Sequence, residues 1–143
     1  MRAKAVDQCA FTRFRHITFE ATSSSYGRVV WFNNGCESVG FYNCRFVGVT
    51  TTSTANSRAI IYSAVNQASC SDITFNRCRF EKGSFGIYFY NLWNALGHGY
   101  FIDHNVFIDQ YFRNIELRYV SSCNITNNDC ARNASSASWG HNF

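Results

Sequence analysis

Proline is absent from the 143 residues, methionine occurs once, and leucine appears only at Leu92, Leu96 and Leu117. So little leucine argues against helical packing and excludes a leucine-rich repeat, which needs that residue at fixed positions. Charged residues make up 15% of the chain, below the usual ~25%. The net charge is only +4, and arginines such as Arg13, Arg28, Arg58, Arg77 and Arg132 are scattered. Nucleic-acid-binding chains cluster their basic residues on one face, so no nucleic-acid partner is expected. No apolar run approaches the ~20 residues of a membrane span, and MRAKAVDQCAF at the start has no signal-peptide-like stretch. No membrane partner is expected. What fills the space is 14 phenylalanines, 8 tyrosines and many serines, threonines and asparagines. Those residues favour strands and turns, which predicts an all-β chain.

Two hexapeptides are almost the same: FYNCRF at 41–46 and FNRCRF at 75–80. With their cysteines as anchors, FRHITF (14–19), IDHNVF (102–107) and ITNNDC (125–130) fall into the same pattern. The columns are Phe14, Phe41, Phe75, Ile102, Ile125, then Ile17, Cys44, Cys78, Asn105, Asn128, then Phe19, Phe46, Phe80, Phe107, Cys130. The anchors lie 27, 34, 27 and 23 residues apart. Upstream, Thr12, Val39, Ile73, Tyr100 and Cys123 form another column, as do Cys9, Cys36, Cys70, Gly97 and Val120. Between the units run GRVVWF (27–32), RAIIYS (58–63), GIYFY (86–90) and NIELRY (114–119).

Each repeat therefore holds two strands around a polar bend and then a third, each strand with one buried face. Three short strands per turn of roughly 28 residues can wind into a parallel β-helix, whose coils stack at ~4.8 Å and bring like residues into ladders. The chain is read as a single all-β domain: a right-handed parallel β-helix of about five coils. Residues 9–132 form the coils, 1–8 an N-terminal cap and 133–143 a C-terminal tail or cap in which Trp139 and Phe143 cover the last coil.

The patterns I-T-F-x-x-C-x-F and I-T-N-N-x-C resemble the right-handed parallel β-helix superfamily of pectate lyases, polygalacturonases and phage tailspikes. The resemblance covers roughly residues 9–132 and implies architecture, because the matched residues build coils. The tripeptide GHG (97–99) is similar to a polygalacturonase signature, but the Asn-Thr-Asp, Asp-Asp and Arg-Ile-Lys elements of that family are missing. His98 is accordingly read as a loop histidine, and the calcium-binding acid cluster of a pectate lyase has no counterpart.

Seven cysteines occur without a CxxC pair or zinc-finger spacing. They are read as buried free thiols in ladders, which points to folding in a reducing cytoplasm, with a virion-associated or larger parent protein as further expectations. No metal and no cofactor is expected. Asn105 and Asn128 replace cysteine in the anchor column and are expected to hydrogen-bond along the stack.

Outward positions supply the candidates for function. Tyr88, Tyr90 and Arg118 on the third strand, with Trp93 just beyond and Glu116 beside them, read as a sugar-binding surface of ring faces and charges. Arg45 and Arg79, one coil apart, read as a solvated face or a patch for anionic groups. Asp103, Asp109 and Glu116 are the best-clustered acids for a two-carboxylate mechanism. The function expected is a non-catalytic carbohydrate-binding or structural module, tailspike- or adhesin-like, with a polysaccharide partner and self-association through coil ends or a sheet face. The alternative is a small or truncated polysaccharide lyase or glycoside hydrolase. Sequons stand at Asn124 and Asn133.

Overall fold

A computed structural model of the chain describes residues 4–7 (backbone only), 9–64 and 68–132. The expected C-terminal cap with Trp139 and Phe143, and the sequon at Asn133, lie outside the described residues. The first rung contains β1 (Lys4–Asp7), β2 (Arg13–Arg15) and β3 (Thr18–Glu20). The second contains β4 (Val30–Asn33), β5 (Glu37–Tyr42) and β6 (Arg45–Val47), and the third β7 (Ile61–Ser63), β8 (Ser71–Asn76) and β9 (Arg79–Glu81). The fourth contains β10 (Phe85–Tyr90), β11 (Tyr100–Asp103) and β12 (Val106–Ile108), and the fifth β13 (Arg113–Arg118), β14 (Cys123–Thr126) and β15 (Asp129–Ala131).

Every third strand pairs in parallel, giving three five-stranded sheets: β1-β4-β7-β10-β13, β2-β5-β8-β11-β14 and β3-β6-β9-β12-β15. The chain is a parallel β-solenoid with three strands per coil. Five rungs are joined by about four turns, so the expected five coils become four. Residues 4–7, expected in a cap, instead form the first strand of the first sheet. The one helical element among the described residues is a 3-10 turn at Asn56–Arg58.

The sequence columns are physical ladders. Phe14, Phe41, Phe75, Ile102 and Ile125 follow one another in register, as do Phe19, Phe46, Phe80, Phe107 and Cys130. Parallel phenylalanine rings stack along each ladder with centroids 4.7–5.2 Å apart. Neighbouring ladders meet edge to face, for example Phe41 with Phe46 at 5.4 Å. Both arrangements suit the ring quadrupoles.

The bend between second and third sheets has one geometry in all five rungs. His16, Asn43, Arg77, His104 and Asn127 each adopt φ of 52–54°. One left-handed residue turns the chain and resets the in–out alternation, so that the anchor side chain after it points inward. For an L-residue this conformation costs about 1–2 kcal/mol, offset here by the ladder hydrogen bonds on both sides.

Inside that bend the predicted amide stack is present. Asn105 Oδ1 accepts from the Cys78 N–H (2.8 Å), and Asn105 Nδ2 donates to the Phe75 carbonyl (2.9 Å). One rung on, Asn128 repeats both contacts, on the Asn105 N–H (2.9 Å) and the Ile102 carbonyl (2.8 Å). The thiols are free and mostly buried, Cys36, Cys44, Cys70 and Cys78 fully so. Burial pushes the Cys78 thiol up to about 12, and hydrogen bonding with Cys36 together with burial pushes Cys70 upward. Thiols so disfavoured as thiolates are poor nucleophiles. They act as packing groups.

Candidate functional site

The outer face of the first sheet carries an aromatic column. Trp31, Tyr62, Tyr88 and Glu116 occupy equivalent positions on β4, β7, β10 and β13. Because residues alternate across a strand, the column points away from the core formed by Phe32, Ile87 and Phe89. Tyr62 and Tyr88 stack at 5.6 Å, and Phe85 packs edge-on against Tyr88 at 5.1 Å. The Arg28 guanidinium lies 3.5 Å from the Tyr62 ring centroid. Tyr62, Phe85 and Tyr88 are buried by this packing. Tyr88 thus points outward as expected, but its ring face is occupied by Tyr62.

One step along β10 and β13 the surface opens. Tyr90 pairs in register with Arg118, whose guanidinium carbon is 5.6 Å from the Tyr90 centroid. Tyr119, exposed, meets Tyr90 edge-on at 5.5 Å. A hydrogen bond with Tyr119 raises the Tyr90 hydroxyl pKa. Glu116 holds this end together: its Oε1 accepts from Arg118 Nε and its Oε2 from Arg113 Nη1, both at 2.6 Å. Bidentate use of one carboxylate by two guanidiniums fixes both cations in place. Trp93 stands beyond, 75% exposed, in a tight loop closed by a Leu92–Ala95 bridge. The Ser69 hydroxyl pins that loop, accepting from the Leu92 N–H (2.8 Å) and donating to the Ala95 carbonyl (2.5 Å).

The other candidates lie elsewhere. Arg45 and Arg79 are register neighbours on the third sheet, and both bind Glu81, at 2.8 and 2.5 Å. Hydrogen bonds from these arginines, Arg45 above all, hold the Glu81 carboxyl down at about 2. The pair is therefore partly neutralised by a carboxylate of its own chain. Arg79-Phe80-Glu81 shows this in the sequence, since alternation puts residues 79 and 81 on one face.

The three acids do not share a face. Asp103 sits at the bend between second and third sheets, buried, with Thr126 Oγ1 and Asn127 Nδ2 donating to Oδ1 (2.7 and 3.0 Å) and Asn76 Nδ2 donating to Oδ2 (3.1 Å). His104 Nδ1 lies 2.7 Å from Oδ2 and is the main cause of a pKa held down near 2. Asp109 follows β12, at the corner between third and first sheets. Glu116 is on the first sheet, inside its arginine clamp. A carboxyl saturated with donors, as that of Asp103 is, stays ionised and is a poor general acid at neutral pH. His98 of the GHG tripeptide is exposed, and Gly99 next to it has φ +69°, with a Cβ there colliding with Asp72 Oδ1. Among the described residues no three His, Cys, Asp or Glu side chains group to hold a metal ion, and no helix is long and apolar enough to cross a membrane. No protein family, curated protein or solved structure matches the chain.

Strand alternation in the sequence singles out Tyr90 and Arg118, with Trp93 just beyond the strand. It misses Tyr119, which stands one residue beyond its strand in the left-handed region (φ 55°), and Ser69, which acts through a loop.

Proposed function

We propose that the chain is a non-catalytic carbohydrate-binding β-solenoid module that takes a polysaccharide on the far end of its first sheet. The observation that carries this reading is the group Tyr90, Trp93, Arg118 and Tyr119. Trp93 and Tyr119 are exposed there, beside the half-buried Tyr90 and a guanidinium already oriented by Glu116. Aromatic faces suit the apolar side of a pyranose, while a fixed guanidinium donates to ring hydroxyls in a defined direction. The cost of ordering on binding is reduced because Glu116 already restrains the Arg118 side chain and Ser69 the backbone of the Trp93 loop. The scattered and engaged acids favour binding over cleavage.

Screening the chain on a glycan array, followed by Trp93→Ala and Arg118→Ala, tests the proposal. Each variant is expected to weaken glycan binding about tenfold, the effect of losing roughly 1.4 kcal/mol. Unchanged binding in both variants removes this surface, and cleavage of any arrayed glycan replaces the binding reading with an enzymatic one.

A further inference from the structure

At the corner between the third and first sheets, successive rungs place one residue or short run each around a depression of about 150 Å³. Thr50 and Thr51 follow β6, Lys82 follows β9, Gln110 and Tyr111 follow β12, and Arg132 follows β15. The two cations thus come from rungs three and five, on either side of the Gln110 rung, with Asp109 as the counter-charge within the lining. That leaves one net positive charge.

Gln110 is the unusual member of this wall. It is 96% buried, and its Nε2 donates to the Phe80 and Lys82 carbonyls, both at 3.1 Å. Those two bonds fix which end of the amide is which. Its Oε1 is left buried without a donor. An unmet acceptor of this kind costs about 1–3 kcal/mol, and native proteins rarely leave one without a purpose. Thr50, Thr51 and Tyr111 bring hydroxyl groups to the same lining. Thr51 Oγ1 already accepts from Arg58 Nη1 (2.8 Å) and from the Ser53 N–H (3.0 Å), so its own proton remains to be donated outward.

We infer that this corner pocket binds a small oxyanion that also carries an O–H group, its charged oxygens between Lys82 and Arg132 and its hydroxyl donated to Gln110. The volume is below the ~300 Å³ at which pockets for whole drug-sized ligands begin. It suits a hydrogen phosphate or a short hydroxycarboxylate. The site is independent of the aromatic surface: it precedes β10 and β13, whereas Tyr90, Trp93 and Arg118 lie at and beyond their far ends.

Amide-resolved NMR titration of the full chain with sodium phosphate, glycolate and sodium sulfate separates the possibilities. Phosphate or glycolate is expected to shift the amides of Thr50, Thr51, Lys82 and Tyr111 saturably, and sulfate, which has no O–H at neutral pH, to bind about tenfold more weakly. Lys82→Ala and Arg132→Ala change exposed side chains, so folding is retained, and each is expected to weaken binding about fivefold. Lys82→Arg is expected to retain it. Absence of saturable shifts with both phosphate and glycolate overturns the site, as does unchanged affinity in both alanine variants. Sulfate binding equal to phosphate overturns the role given to Gln110. Trp93→Ala is expected to leave these titrations unaltered, so this site and the glycan surface stand or fall separately.

Discussion

The same bend is built from thiols in rungs two and three and from amides in rungs four and five. Asn105 and Asn128 each donate to the carbonyl three residues before the neighbouring anchor and accept that anchor's N–H. Cys78 imitates the first contact, its Sγ donating to the Phe41 carbonyl at 3.4 Å. The Cys44 backbone N–H in turn hydrogen-bonds to the Cys78 sulfur, weakly opposing the rise in its pKa. Cysteine and asparagine therefore do the same job at this corner with different strength. In rungs three to five the position holds a short side chain that is donor and acceptor at once, whereas Ile17, with no polar side-chain atom, holds it at the end of the stack in rung one.

Four substitutions break or sharpen that comparison. Asn105→Leu leaves the Cys78 N–H and the Phe75 carbonyl without their side-chain partner and removes one of the two donors to Asn128 Oδ1. A loss of about 3–5 kcal/mol in urea unfolding is expected, and a loss below about 1 kcal/mol would show that the amide only fills space. Cys78→Ala removes weaker bonds and a sulfur from the core, for about 1–2 kcal/mol. Its companion Cys78→Asn extends the amide stack by one rung and is expected to stay within about 1 kcal/mol of the parent. The smallest effect belongs to the surface. Glu81→Gln releases Arg45 and Arg79, both about half exposed, and costs at most about 1 kcal/mol at neutral pH. The native Glu81 carboxyl lies near 2, below the ~4.3 of an unfolded glutamate. Its contribution is thus complete above pH ~4.3 and disappears as pH falls towards 2. The variant is expected to converge with the parent over that range in a pH series of unfolding midpoints.

The ladders were legible because each is written as a column of like residues with constant local spacing. The register confirms Phe14 to Ile125 and Phe19 to Cys130 position by position. Two further corner amides were not legible. Asn91 lies outside the repeated unit, yet its Oδ1 accepts from the Cys70 N–H (3.2 Å) and from Tyr100 (3.1 Å). It occupies the space that a side chain at Gly97 would need, where a Cβ would lie 2.7 Å from the Asn91 amide. The glycine in the cysteine column thus marks a side chain arriving from another part of the chain, which no column alignment reveals. Gln110 likewise enters from a connecting segment. At the proposed glycan surface, strand alternation located Tyr90 and Arg118. The covering of Tyr88 depended on Phe85 and on stacking with Tyr62, and so on packing between rungs.

The single left-handed residue at each bend acts as a phase marker. The three-residue step from Phe14, Phe41, Phe75, Ile102 or Ile125 to the next anchor is invariant, whereas the anchor spacing varies from 23 to 34 residues. All length variation is therefore absorbed in the connections that enter and leave the first sheet. Deleting one residue at Asn43 would put every later side chain of its strand out of step, sending Phe46 to solvent and Arg45 to the interior. Deleting one from the polar run 52–55 would shorten only a connection. The molecule can thus gain or lose chain at two of its corners, while the third keeps its reading frame.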